Sequence, residues 1–390
     1  MRFESQSIRA FAITALSIVA LPMACATDSA AVPVDTPAVR FAAQYVGEAW
    51  QVGGVPDRRS AWLDLLESSL TIDGARAFGA EGVTFKVAAQ RNSGRPISDA
   101  IGSSAPLSSI EAPAASRVSE AWIEWAAADR GRSLKVGVMD LNDEFDSSEV
   151  GAAFVNSTFG LAIDVAQSGL TGPPTYPTDA LGLRARVQRG EYRLQAAIFD
   201  GVPGDPREPV RPTLRWPAND GTLAVIEVGR DAASARWYLG AWRYSTALEP
   251  LRAAIDPAFR PVRGSSGGYA LVERTWWAND VGGKLQTSLR VGRADEKFNA
   301  IRDTVQFALR LDRPWQLEGE SLGFAWSLQR HGGASRSVAA ARGDTLIAHE
   351  SVLEFTYRRP LGKRWVLQPD LQYFAAGWAA GLRIELDLSP

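Results

Sequence analysis

The side chains best placed to do chemistry lie in Ser119-Glu120-Ala121-Trp122-Ile123-Glu124, where two carboxylates and an indole recur at every second position. Alternate residues of a β-strand share a face, so Glu120, Trp122 and Glu124 would be presented together. A carboxylate pair can cut glycosides. Residues four apart on one strand, however, stand about 13 Å from each other, beyond the separation that either glycosidase geometry uses. The two histidines, His331 and His349, both bracket one predicted loop, Arg330 to Glu350. Neither H-E-x-x-H nor G-x-x-x-x-G-K-[ST] occurs. No spacing in the acidic run Asp140 to Glu149 matches a calcium loop, and that run reads as a solvated outer face. The expectation is a protein that is not an enzyme, with no catalytic residues, no metal and no cofactor. Arg184 and Arg186 are a different case. Two arginines one pleat apart cannot neutralise each other, so they need carboxylates or a ligand.

The elements that would position these residues are strands. Lys284-Leu285-Gln286-Thr287-Ser288-Leu289-Arg290 alternates apolar and polar residues, which gives one face to oil and the other to water. From Arg40 to Trp50 through to Gly381 to Leu388 there are sixteen such segments, each near the roughly 10 residues of a tilted transmembrane strand. The phase is ambiguous in Ser60 to Ile72, Ala235 to Tyr244 and Gly268 to Trp277. Connection length sorts by parity. Even-numbered connections such as Arg189 to Glu191 and Ala278 to Gly283 are short, whereas odd-numbered ones such as Asn92 to Arg117, Leu141 to Ala180 and Ser245 to Gly267 are long. A soluble sandwich has no reason to sort its connections this way. A transmembrane antiparallel β-barrel of about 16 strands, with short periplasmic turns and long extracellular loops, does.

Composition agrees. Thirteen tryptophans suit aromatic girdles at two lipid interfaces, and a net charge of -2 argues against a nucleic-acid partner. Residues 1–26, with Arg2 and Arg9, an apolar run from Ala10 to Leu21 and Ala24-Cys25-Ala26, read as a cleaved secretory signal. A short periplasmic segment, 27–39, and a barrel over 40–390 would follow. Cys25 is the only cysteine, so the mature chain would hold no disulfide.

Several motifs add a resemblance: Ser119 to Glu124, Asp143-Glu144-Phe145, Asn156-Ser157-Thr158-Phe159-Gly160, Tyr176-Pro177, Phe199-Asp200-Gly201-Val202-Pro203-Gly204-Asp205-Pro206 and Gln368-Pro369-Asp370-Leu371-Gln372-Tyr373. Together they resemble the carbohydrate-selective porin family of the Gram-negative outer membrane, the OprB type. The chain departs from the usual barrel ending by finishing Leu388-Ser389-Pro390 instead of on an aromatic residue. The resemblance implies a sixteen-stranded barrel that admits mono- and oligosaccharides by passive diffusion. It also implies outer-membrane lipid, lipopolysaccharide and the barrel assembly machinery as partners. A non-specific general porin and a plugged barrel serving as surface anchor or adhesin are the alternatives. A homotrimer is open to it, although no single lipid-facing strand reads as polar enough to mark an interface.

Alternation turns Gln44, Glu48, Lys86, Gln90, Glu120, Trp122, Glu124, Arg184, Arg186, Arg290, Arg310, Glu354, Asp370 and Gln372 into the lumen. A wall carrying both signs gives a neutral, hydroxyl-rich solute donors and acceptors, and Trp122 offers an apolar face to a pyranose. Lys86, Gln90, Glu120, Trp122, Glu124, Arg184, Arg186, Arg290 and Arg310 are the candidate pore-lining residues. The bland alternative is that such charges pair across strands and keep the wall wet. The loop 141–180 is the candidate constriction.

Overall fold

Lipid on one side and a wet or packed interior on the other make each strand two-faced, and closure removes every unpaired edge from hydrocarbon. The computed structural model describes residues 37–204, 217 and 219–390. The expected export signal, 1–26, and most of segment 27–39 lie outside these. The strands are β1 (Val39–Gly53), β2 (Ser60–Asp73), β3 (Val83–Gly94), β4 (Ala115–Ala126), β5 (Arg132–Met139), β6 (Ala180–Arg189), β7 (Tyr192–Asp200), β8 (Thr222–Ala232) and β9 (Ala235–Tyr244). A two-residue ladder, β10 (Ala247–Leu248) with β11 (Val262–Arg263), interrupts the series. It resumes with β12 (Ser266–Ala278), β13 (Lys284–Ala294), β14 (Ile301–Asp312), β15 (Ser321–His331), β16 (His349–Leu361), β17 (Trp365–Phe374) and β18 (Trp378–Asp387).

Sixteen of these strands close into one antiparallel barrel, sealed where β1 pairs with β18 with Trp50 opposite Gly381. Leu285, Leu289 and Val291 of β13 face outward, opposite Leu311, Phe307 and Val305 of β14, while Ser288 and Arg290 are buried on the inside. The parity of the connections holds at the short-turn end, and three of the other set, 54–59, 295–300 and 375–377, are also short.

The three strands of ambiguous phase are apolar on both faces, for a physical reason. Leu63 and Leu65 of β2 point inward into a buried cluster while Trp62 and Leu66 are exposed to lipid. Tyr238, Trp242 and Tyr244 of β9, and Tyr269 and Leu271 of β12, are likewise buried inside, with Leu239 and Val272 outside. The inner oil meets loops. Phe145, Leu161 and Val165 of loop 140–179 pack on Phe199, Trp242 and Tyr269, and Ile97, Ile101 and Leu107 of loop 95–114 pack on Trp50, Leu63 and Leu65. Gly240 is needed here because the Tyr269 ring lies where its Cβ would stand.

Two expectations are corrected. The acidic run is not a solvated outer face: Glu144 and Asp146 are buried inside the barrel, because loop 140–179 folds in and its acids meet cations of the wall. The outer face is also not uniformly apolar. On β1–β3 it carries Gln51 opposite Ser60 and Asp64 opposite Ser93, with Asp64 accepting from Trp62 Nε1 at 3.2 Å and Ser93 Oγ at 2.9 Å. Exposed Arg91 adjoins them.

Candidate functional site

Loop 140–179 reaches the wall through a chain of ion pairs and hydrogen bonds. Glu144 takes Lys135 and Arg186 on its two carboxylate oxygens and also accepts from Arg184 at 3.2 Å. Arg184, fully buried, also donates to Glu124 at 2.6 Å. Burial alone would push the Glu144 carboxyl up, but the three cations outweigh it and hold it below the usual carboxylate range. Further round, Arg290 is clamped between Asp146 and Asp164, at 2.7 Å to each. Glu273 accepts from Val150 N at 3.0 Å, Glu354 from Asn156 N at 3.0 Å, and Gln372 Oε1 from Asn156 Nδ2 at 2.9 Å.

The pairing changes the standing of the candidate residues. Arg184 and Arg186 have their carboxylates in Glu124 and Glu144, and Arg290 is buried by two aspartates, so all three hold the inward loop. Arg310 pairs with Asp312 at 2.6 Å and reaches the Glu149 carbonyl at 3.4 Å. Gln90 is buried and donates to the Pro177 carbonyl at 3.1 Å. Of the candidates, Lys86 and Glu120 border an open cavity, and Trp122 stands beside them. Lys86 Nζ lies 2.5 Å from Glu120 Oε1, and Trp122 Nε1 donates to Glu120 Oε2 at 2.6 Å. The indole is half-buried between two ammonium groups, with Lys135 Nζ 4.2 Å and Lys86 Nζ 6.0 Å from the ring centroid.

Lys86 and Glu120 line a cavity of about 890 Å³ that lies toward the short-turn end of the barrel, against β1–β4 and β16–β18. Glu67 of β2 and Asp143 of the inward loop line it too. The alternation left both unfound. Glu67 sits on a strand of ambiguous phase, and Asp143 comes from a connection whose path no periodicity encodes. Burial, and then the neighbouring Glu120 charge, raise the Asp143 carboxyl. Burial, then Asp143, push Asp140 up to about 7. The cavity therefore presents both acids and cations, Lys86 and Lys363 among them, with an indole beside Glu120, enough to hold a neutral polyol by hydrogen bonds and a ring face.

No nucleophile elbow accompanies it. Gly264-Ser265-Ser266-Gly267-Gly268 fits G-x-S-x-G but leads into β12 instead of turning from a strand into a helix.

Comparison with known proteins agrees with this architecture. The structure is similar to that of Pseudomonas putida OprB at high pH, with a TM-score of 0.78 at 17% identity, over 90% of this chain and 94% of that one. The low-pH structure of the same protein aligns with a TM-score of 0.57 at 13% identity, over 90% and 93%. OmpT, a Vibrio cholerae outer membrane protein in its trimer form, gives 0.54 at 9% identity, over 90% and 98%. No curated protein sequence matches the chain. The model of the carbohydrate-selective porin family, OprB, matches residues 58–376, so with a closed sixteen-stranded barrel and a polar cavity in its lumen this chain belongs to that family of outer-membrane porins.

Proposed function

We propose that sugars crossing this porin are held in transit by Lys86, Glu120 and Trp122, with Asp143 facing them from the inward loop. One observation carries the reading: Lys86, Glu120 and Asp143 line the lumen cavity and Trp122 is hydrogen-bonded to Glu120 beside it, whereas Arg184, Arg186 and Arg290 are spent on the loop. A passive channel must bind its solute weakly enough to release it, so the dissociation constant is about 1 mM or weaker, near about -4 kcal/mol. In planar bilayers, glucose and maltose should reduce the ion current of the parent. Trp122→Ala should remove that block while leaving open-pore conductance similar or slightly raised. Unchanged block in Trp122→Ala moves the site elsewhere along loop 140–179.

The same reading takes residues 1–26 as a cleaved export signal, the barrel assembly machinery as the inserting partner and lipopolysaccharide as the surrounding lipid. The polar outer face of β1–β3 supports a homotrimer contact there. N-terminal sequencing of protein from outer membranes, and the mass of the parent against Asp64→Leu in detergent, test these parts.

A further inference from the structure

On the outer face near the long-loop ends of β12–β15, two registered rows of residues run side by side. The row nearer the loops is Gly268, Arg293, Asp303 and Arg330, each opposite the next across the sheet. The row just below it is Ala270, Val291, Val305 and Leu328 in the same register. Charge sits over oil. Because Gly268 and Ala270 carry almost no side chain where their neighbours carry branched ones, the surface sinks into a cleft of about 530 Å³ lined by both rows.

The charges of the upper row are not balanced. Arg293 donates to Asp303 at 2.7 Å, and Asp303 is shared with Arg302 at 2.8 Å. Arg302 also lies 3.4 Å from Glu296. The side chains of Arg330 and, on the neighbouring β9, Arg243 are exposed and have no hydrogen-bond or ion-pair partner among the described residues. A bare arginine beside hydrocarbon is costly unless it reaches headgroups, and guanidinium forks suit phosphate oxygens.

From these rows we infer a binding site for a phosphorylated, acylated saccharide lipid of the outer leaflet. Its phosphate lies on Arg330 and Arg293, and one acyl chain fills the slot over Gly268 and Ala270. The site rests on the outer-membrane placement of the barrel but not on the sugar-binding residues, which face the other side of the wall.

The test is native mass spectrometry of the full-length mature porin in detergent, with bis-phosphorylated lipid A, its dephosphorylated form and inorganic phosphate as probes. The parent should retain lipid A. Loss of the phosphates, or the double variant Arg293→Gln/Arg330→Gln, should cut retention roughly tenfold or more, as for loss of charge-assisted contacts. Ala270→Trp should cut it by filling the slot, and sugar block of the ion current should stay as in the parent in each variant. Equal retention by the double variant overturns the proposal. So does retention of inorganic phosphate equal to that of lipid A, which would make this a free-anion site. Oligomers that dissociate in the double variant without any change in bound lipid would make the face a subunit contact and overturn it as well.

Discussion

Arg290 and Lys86 are both inward-facing cations on barrel strands, and their surroundings differ completely. Arg290 on β13 is covered by loop 140–179 and locked between Asp146 and Asp164, all three buried. Lys86 on β3 makes one pair, with Glu120, and borders the open cavity. The strands supply similar residues on both sides. The inward loop decides which of them become structure and which stay available to a solute. A porin lumen of this kind is therefore two walls in one, a ligated scaffold and a wet face.

The comparison breaks most visibly at Arg290. Arg290→Met would leave two buried aspartates without their counter-ion, a loss of about 3–5 kcal/mol by the behaviour of broken buried pairs. The heated-gel shift should move to lower temperature, and single-channel conductance should rise and become noisy as the loop leaves the wall. An unchanged melting profile would mean that the apolar packing of Phe145, Leu161 and Val165 seats the loop without the clamp.

Glu144→Gln should do the same to a smaller extent. One neutral acceptor would face Lys135, Arg184 and Arg186, each contact to a charged group being worth about 1.5–3 kcal/mol at most, and Arg184 keeps Glu124. Because its carboxyl is held below the usual range, Glu144 contributes stability above the ordinary carboxylate pKa of about 4.3 and loses it as pH falls through the depressed value. Parent and Glu144→Gln melting profiles should therefore differ at pH 7 and converge in strong acid.

On the wet face the ranking reverses. Lys86→Gln should cost no more than about 1 kcal/mol of stability, since its ion pair is partly exposed, yet it should change sugar block because it replaces an ammonium at the cavity wall by a shorter, neutral amide. A variant that melts early but blocks normally would place Lys86 with the scaffold.

This division explains what the sequence could and could not disclose. Alternation along β13 located Arg290, and along β4 it located Glu120 and Trp122, because a period of two depends only on which side is lipid. Barrel closure and strand number followed from the same signal plus connection length. The partners of Arg184, Arg186 and Arg290 did not, since Glu144, Asp146 and Asp164 belong to a connection whose path is set by long-range packing and not by any local repeat. β2 shows the same limit from the other side: Leu63 and Leu65 face loop residues, not water, so Glu67 was hidden in a strand that looks oily on both faces.

The smallest effect separates the two walls by titration alone. Asp143, its carboxyl raised, lines the cavity, and Asp140, pushed up to about 7, is buried within reach of its charge, whereas Glu144 is depressed. For an acid with a raised folded pKa, the favourable contribution is present below the ordinary Asp range and is lost as pH rises through the folded value. Between about pH 5 and 8, then, Asp140 gains charge while the Glu144 clamp stays ionised. Cation preference, read from the reversal potential across a salt gradient, should rise with pH around 7 without any change in loop seating. Glu120→Gln should lower that preference, since one cavity carboxylate is gone. It should also shift the Asp143 part of the curve to lower pH, because, after burial, the Glu120 charge is the largest force holding Asp143 up. A reversal potential that is flat across this range would mean that passing ions do not sense these aspartates, and that the conducting path runs along Glu67 and β2 instead.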